Sequence, residues 1–187
     1  MYLAEARIIP YDEEKHREAI YNIYYEYAKW NQSAVKEKYG ITYENVIGGK
    51  IEDLLDSALK VFTSLERPQG IIMVLEVDGI IAGIGRLSIL EDKIAEINNM
   101  FVSSEYRGFG YGKAILNSLE DIAREYGYNT LRLDTGAHNV AAQHMYRKAG
   151  YKERGYYSST PYGRAAKDTT EDGKIYYANK IYFEKHL

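Results

Sequence analysis

Cysteine is missing altogether from these 187 residues. Its absence rules out disulfide staples, thiolate metal sites and an acyl-cysteine intermediate together, so any acyl transfer here has to be direct. Long apolar runs are missing too: no stretch approaches the ~20 residues that cross a bilayer, and the first residues carry acids where an export signal would be basic and then apolar. A cytoplasmic protein with no membrane partner is expected. Basic residues are not in excess, since 24 lysines and arginines stand against 27 acids for a net charge of -3, with a pI near 5.9. No basic face offers itself to a phosphate backbone, so no nucleic-acid partner is expected, and a cationic substrate is weakly favoured. Tryptophan occurs once and phenylalanine four times, against 20 tyrosines. Tyrosine buries an aromatic body while its hydroxyl needs a partner, which suits half-buried edges, pockets or a subunit contact. Compositional bias alone is the competing explanation.

What is present is an ordinary globular mixture, 45% apolar and 27% charged, long enough to bury a core without metal or disulfide support. No repeat, low-complexity tract or linker divides the chain, so one domain over residues 1–187 is expected. Residues 3–9 read as a strand ended by Pro10. Ile20, Ile23, Tyr24 and Tyr27 form one helical face behind the acids Asp12, Glu13 and Glu14. Residues 30–49 are mixed, with breaks at Gly40 and Gly48-Gly49. A second helical stripe runs through Ile51, Leu54, Leu55, Ala58 and Phe62 and stops before Pro68. Ile71–Val77 and Ile80–Leu90 are strands joined by the tight turn Asp78-Gly79, and Glu91-Asp92-Lys93 turns the chain into Ile94–Val102. Ile115, Leu119, Ile122 and Tyr126 line a helix ending at Gly127, and Thr130–Thr135 is a strand that a crossover makes parallel to Ile94–Val102. Asn139 caps a helix that ends at Gly150. Two last strands, Tyr151–Ser158 and Ile175–Glu184, flank a polar loop over Ser159–Lys174.

The stretch Arg107-Gly108-Phe109-Gly110-Tyr111-Gly112-Lys113 lies between strand and helix. Three alternate glycines before a helix leave backbone N–H groups uncovered, the helix start adds partial positive charge, and Arg107 and Lys113 add full charges, so the loop suits a pyrophosphate. It is not a Walker A loop: Arg107 stands where its first glycine belongs, and Ala114 where Ser or Thr should bind magnesium. Nor is it a dinucleotide fingerprint, because Lys113 takes the place of the third glycine.

Arg-x-x-Gly-x-Gly, with Ala95–Val102 before it and Asn139–Gly150 after it, resembles the coenzyme A-binding segments of the GNAT superfamily of N-acetyltransferases. The resemblance extends over most of residues 70–157. It implies an α/β domain with a mixed, mostly antiparallel sheet of about seven strands and helices on both faces. It also implies acetyl-CoA as cosubstrate and transfer of the acetyl group to a primary amine by direct attack in a ternary complex. Met100, Phe101 and Val102 would pair with the pantetheine amides, residues Arg107 to Lys113 (Gly108, Phe109, Gly110, Tyr111 and Gly112 between them) would hold the pyrophosphate, and Asn139 and Ala142 would touch the cofactor. Tyr146 would reach the departing sulfur as hydrogen-bond donor or general acid; a helix aromatic packed on the sheet is the other reading. Glu96 would be the general base, acting through a water that Asn98 and Asn99 help to orient; a structural glutamate is the other reading. Glu96 shares a strand face with Asn98 and Met100 unless a bulge shifts the register. Trp30, Tyr39, Tyr156, Tyr157 and Tyr162 are candidate neighbours of the acceptor, or ordinary core and loop aromatics. His138 and His144 lack a third clustered ligand, so no metal is expected, and both read as solvent-facing or capping. The acceptor is left as a small-molecule or peptide amine, and a homodimer is the assembly expected if the chain associates. A longer acyl group, a hydroxyl acceptor, or a non-catalytic acetyl-CoA sensor are the alternatives.

Overall fold

The computed structural model describes residues 5–53, 55, 70–157 and 171–187. The chain opens with strand β1 (Ala6–Pro10), the 27-residue helix α1 (Glu13–Tyr39) and the short helix α2 (Tyr43–Ile47). An antiparallel meander follows: β2 (Gly70–Val77), β3 (Ile80–Glu91) and β4 (Ile94–Val102). Helix α3 (Tyr111–Glu125) leads to β5 (Thr130–Gly136) and helix α4 (Val140–Lys148). The chain closes with β6 (Lys152–Arg154), helix α5 (Glu171–Ala178) and β7 (Lys180–His186). The seven strands form one sheet in the order β1-β2-β3-β4-β5-β7-β6. Every neighbouring pair is antiparallel except β4 with β5, which is parallel. This is the mixed, mostly antiparallel α/β architecture expected from the sequence. Among the described residues no helix is long and apolar enough to cross a membrane.

Two cores sandwich the sheet. Ile71, Met73, Leu75 and Val77 of β2 pack with Ile115, Leu116 and Leu119 of α3 on one face, while Ile72 and Val74 pack with Ile20, Ile23 and Tyr24 of α1 on the other. Successive side chains of a strand point to opposite faces, and here both faces are covered, so β2 reads as an unbroken apolar run rather than an alternation. Each of these fully buried aliphatic side chains stabilises the fold by about 1.5–3 kcal/mol. Glu120, buried on α3, is held by the Lys185 ammonium of β7 at 2.7 and 2.8 Å, which ties the helix to the far side of the sheet.

Helix α1 is longer than its sequence suggested. The Asp12 carboxylate caps its start by accepting from the N–H groups of Glu14 and Lys15, and Gly40 ends it in the left-handed conformation at φ 68°. Its buried face continues through Ala28, Asn31 and Val35. The polar Asn31 interrupts the apolar stripe and hides its continuation. Trp30 therefore sits on a helix, not in a mixed stretch.

The last part of the chain also differs from expectation. Residues 175–178 are helical rather than extended, and β7 begins only at Lys180. Tyr176 of α5 packs with Val35, Ile41 and Val46, and the Asp172 carboxylate accepts from the Thr42 N–H at 3.3 Å and the Asn45 amide at 3.0 Å. These contacts with α1 and α2 hold the segment as a helix despite its strand-like tyrosines. The strand expected over Tyr151–Ser158 shrinks to Lys152–Arg154. Of the second predicted helix, residues 51–53 and 55 are helical, with Ile51 and Leu55 buried. Its remainder, and the loop through Tyr162, lie outside the described residues.

β4 carries a bulge. Arg86 pairs with Asn98 and Ile84 with Phe101, so two β4 residues stand opposite Gly85, and Asn99 takes a positive φ of 53°. Past the bulge the faces exchange. Met100 packs into the α3-side core with Ile97, and Phe101 joins the α1-side core. Met100 thus leaves the face that holds Glu96.

Gly85 sits where the bulge meets α3, and a Cβ there would lie 2.5 Å from Ile115 Cγ2 and 2.9 Å from Leu119 Cδ1. Gly85→Ala is expected to cost about 1–3 kcal/mol by overpacking, read by urea denaturation. A loss below about 0.5 kcal/mol, the scale of an ordinary surface change, would mean that β3 and α3 are not packed this closely.

Candidate active site

β4 and β5 pair only at Ile94–Thr130, Ala95–Leu131 and Glu96–Arg132. Both strands then continue, to Val102 and Gly136, without pairing to each other. The wedge they open is a cleft walled by Ile97–Met100 on one side, Asp134–Gly136 on the other, and side chains from α1, α4 and α5. Backbone polar groups of β4 that face this wedge have no strand partner on that side, so the wall offers hydrogen-bonding groups along its length.

The glycine loop follows the end of β4, and its Arg107 reaches Trp30 on the cleft wall. Gly108 and Gly110 have φ of 87° and 84°, conformations that side chains rarely adopt, and nothing lies within 4 Å of where a Cβ would project. Gly110 caps α3 without a side-chain hydrogen bond, so the N–H groups of the first turn are open to an anion. Lys113 is exposed, as is Phe109, whose ring lies 6.0 Å from that of Tyr111. Arg107 turns the other way. Its Nε donates to the Val102 carbonyl at 2.9 Å, and its guanidinium covers the rings of Phe101 at 4.8 Å and Trp30 at 5.7 Å. Gly112 faces α4, with Met145 Sδ 3.3 Å from its would-be Cβ.

Tyr146 of α4 stands on the cleft wall, buried against Tyr151 and Phe183. Burial first, and then the Asp134 carboxylate, push its hydroxyl pKa well above the ordinary value, so it keeps its proton and can donate a hydrogen bond. Asn139 also lines the cleft and caps α4, its Oδ1 accepting from the Ala142 N–H at 3.4 Å; Ala142 packs against the α3-side core.

Glu96 lies behind the wall rather than on it. It is 2% exposed, and its carboxylate accepts from the Tyr157 hydroxyl at 3.0 Å and the Asn98 amide at 3.2 Å. Asn98 is the side chain that reaches the cleft. Tyr157 is a partner of Glu96, its ring flanked by the guanidinium groups of Arg132 at 5.4 Å and Arg154 at 5.2 Å. Tyr156 is exposed and packs on Tyr182. Neither Tyr156 nor Tyr157 lines the cleft, whereas Trp30 does; Tyr39 sits one ring further out, edge-on to His138 at 6.1 Å.

Several wall residues escaped the sequence reading. Asp134 and Lys180 form an ion pair at 2.6 Å, each side chain 16% exposed. Burial opposes the ammonium's charge, but Asp134 outweighs it and raises the lysine pKa. Asn31 and Tyr176 are hydrogen-bonded at 3.3 Å. His138, expected to face solvent or cap a helix, is half-buried in the wall, while His144 is exposed. Asn31 was obscured as a polar break in the α1 stripe, and Tyr176 and Lys180 by the misassigned last strand. Asp134 had a signal, at a polar position near the end of a strand that alternates.

A model of the acetyltransferase (GNAT) family matches residues 17–151. An IAA acetyltransferase of Azospirillum brasilense is 34% identical over 101 residues, which are 54% of this chain and 65% of that protein. The chain thus spans just under two thirds of that relative's length. Among solved structures, a ribosomal-protein-alanine N-acetyltransferase of Brucella melitensis superposes with a TM-score of 0.68 at 20% identity, over 97% of this chain and 99% of its own. The PaiA N-acetyltransferase of Thermoplasma acidophilum, solved in complex with coenzyme A, gives 0.62 at 20% identity over 98% and 99%. At these identities the superpositions show a shared fold.

Removing one member of the Asp134–Lys180 pair strands the other in the wall. Lys180→Met is expected to lose about 3 kcal/mol of stability, with Asp134→Asn added on top restoring part of it. Strictly additive losses in urea denaturation would show that the two charges do not support each other.

Proposed function

Because the chain belongs to the acetyltransferase (GNAT) family, we propose that it transfers the acetyl group of acetyl-CoA to a primary amine, on a small molecule or a peptide, by direct attack within a ternary complex. The observation that carries this reading is the wedge between β4 and β5, with an open glycine loop following β4 and a buried, protonated tyrosine on the wedge's wall. A thioester arm needs a slot with unpaired backbone groups, and its diphosphate needs uncovered N–H donors near positive charge.

In this proposal the N–H groups of the glycine loop and of the first turn of α3, from Gly108 to Lys113, hold the diphosphate, and the Lys113 ammonium adds charge. Gly108 and Gly110 allow the approach because any side chain there would stand in the way. Arg107 braces the aromatic wall from within the loop. The edge of β4 at Met100, Phe101 and Val102, apart from the Val102 carbonyl that Arg107 holds, pairs with the amides of the arm, and a backbone N–H there stabilises negative charge gathering on the thioester oxygen. Asn139 and Ala142 form the α4 side of the slot. The amine's lone pair attacks the carbonyl carbon, the C–N bond forms, the C–S bond breaks with its electrons on sulfur, and Tyr146 passes a proton to that sulfur as it takes up the one the new amide sheds. Because no cysteine exists in the chain, the acetyl group passes straight to the amine. Glu96 enters as a positioning residue. Buried behind Asn98, it fixes that amide at the cleft.

Release of free thiol from acetyl-CoA, followed with a panel of amines, tests the reading. Tyr146→Phe is expected to lower kcat by about 10²-fold, the low end for acid–base catalysis, because a thiol of pKa about 8.5 is already a tolerable leaving group. Calorimetry should find coenzyme A affinity retained in that variant, whereas Gly110→Ala weakens it by about tenfold, or ~1.4 kcal/mol. No heat with coenzyme A and the unaltered protein would overturn the proposal.

A further inference from the structure

The proposed reaction needs a group that takes a proton from the incoming amine, and the carboxylates near the cleft are committed elsewhere. Glu96 is behind the wall with Tyr157 and Asn98 on its oxygens, and Asp134 is bound to Lys180. Among the described residues that line the cleft, His138 is the only histidine.

The imidazole is held by neighbours on three elements. After β5 the chain turns at Gly136, and the ring folds back over that glycine so closely that a Cβ would lie 2.2 Å from Cε1 and 2.5 Å from Nδ1. Only glycine leaves room for it. From α1, Asn31 Oδ1 lies 3.0 Å from Nε2, while the same amide's nitrogen donates to the Tyr176 hydroxyl of α5 at 3.3 Å. With a carbonyl oxygen facing Nε2, that nitrogen carries the proton and Nδ1 keeps a lone pair. Trp30 packs on the ring at 5.8 Å and Tyr39 at 6.1 Å. Nδ1, packed over Gly136, is buried without a hydrogen-bond partner among the described residues, an unmet acceptor that a small movement of the ring off the glycine presents to an N–H donor.

We propose that His138 is the catalytic proton acceptor for the amine, taking the proton on Nδ1 directly or through one water molecule. The inference rests on the acetyl-transfer reading above. An ammonium gives one proton to Nδ1 and becomes the nucleophile. As its lone pair forms the C–N bond, the C–S electrons leave on sulfur, which Tyr146 protonates. The new amide then sheds its extra proton back to Tyr146, and His138 returns its own to solvent, so one proton is released per turnover. The charges and titratable groups around the ring suit a neutral base: Lys38 and Tyr39 on α1, Tyr176 beyond Asn31, Tyr146 on α4, and the mutually neutralising Asp134 and Lys180. Lys38 is anchored nearby on the Ala137 carbonyl at 3.0 Å. Burial first, and then Lys38, lower the imidazole pKa below 6.5, so the ring is uncharged at neutral pH.

The test uses the full chain and an amine accepted in the panel. The pH dependence of kcat/KM should fall on the acid side as one group with a pKa below 6.5 is protonated, and NMR titration should assign that pKa to His138. His138→Gln, which can still reach Asn31, is expected to lower kcat/KM by about 10²-fold or more and to remove the acid limb, with coenzyme A affinity by calorimetry unchanged. Gly136→Ala, which keeps the imidazole but displaces it, should also lower kcat/KM without a loss of coenzyme A binding. If the unaltered protein binds coenzyme A yet acetylates no amine, the acetyl-transfer reading fails and takes this inference with it. If it turns over and His138→Gln keeps both the rate and the acid limb, the role of His138 alone is overturned.

Discussion

The site depends on where two parallel strands stop pairing. The last rung between β4 and β5 is Glu96–Arg132, and both residues are clamped. Arg132 donates to Glu184 of β7 at 2.8 Å and to Glu91 at the end of β3 at 2.9 Å, so charges from either side of the rung fix it. Glu96 is held from below by Tyr157 and toward the cleft by Asn98. Beyond this anchored rung the bulge at Asn99 exchanges the faces of β4, and the strand leaves its neighbour. Unpaired main chain inside a sheet is costly unless water or a ligand answers it, so the parting of the strands is in itself a binding surface.

The two sides of the wedge differ in chemistry because different helices supply them. On the α3 and α4 side there are bare main chain, small residues and Tyr146, all suited to a long thin molecule ending in phosphate. On the α1 and α5 side there are Trp30, Asn31, Tyr176 and His138 with the Asp134–Lys180 pair, a denser polar and aromatic wall. The second side exists because α1 runs to Tyr39 and α5 docks on α2 through Asp172. Without those extra turns, the imidazole would lose Asn31 on one edge and Tyr39 on another.

The sequence made one side of the cleft far more legible than the other. The glycine loop, the helix after it and the cap at Asn139 are local features: turn residues, a 3.6-residue stripe and a capping side chain sit within a few positions of one another and declare themselves. So do the first five strands, because β2 is a continuous apolar run and Asp78-Gly79 is an unambiguous hairpin turn. The polar wall is not local. Asn31 matters because of Tyr176, 145 residues away, and His138 because of Asn31, 107 residues away. No periodicity reports such pairings. Glu96 shows a third kind of limit. Its position on β4 was clear, but whether its carboxylate faced the cleft or the interior depended on Tyr157 and on a bulge, both tertiary facts.

Trp30 is the single tryptophan of the chain, and it stands on the cleft wall beneath the guanidinium of Arg107. All indole fluorescence from this protein therefore originates at one place, beside a cation and within ring distance of an imidazole. Whatever enters the wedge alters the polarity and the quenchers around that one chromophore. The fold thereby carries a built-in optical reporter of occupancy, read at wavelengths that excite the indole and not the 20 tyrosines.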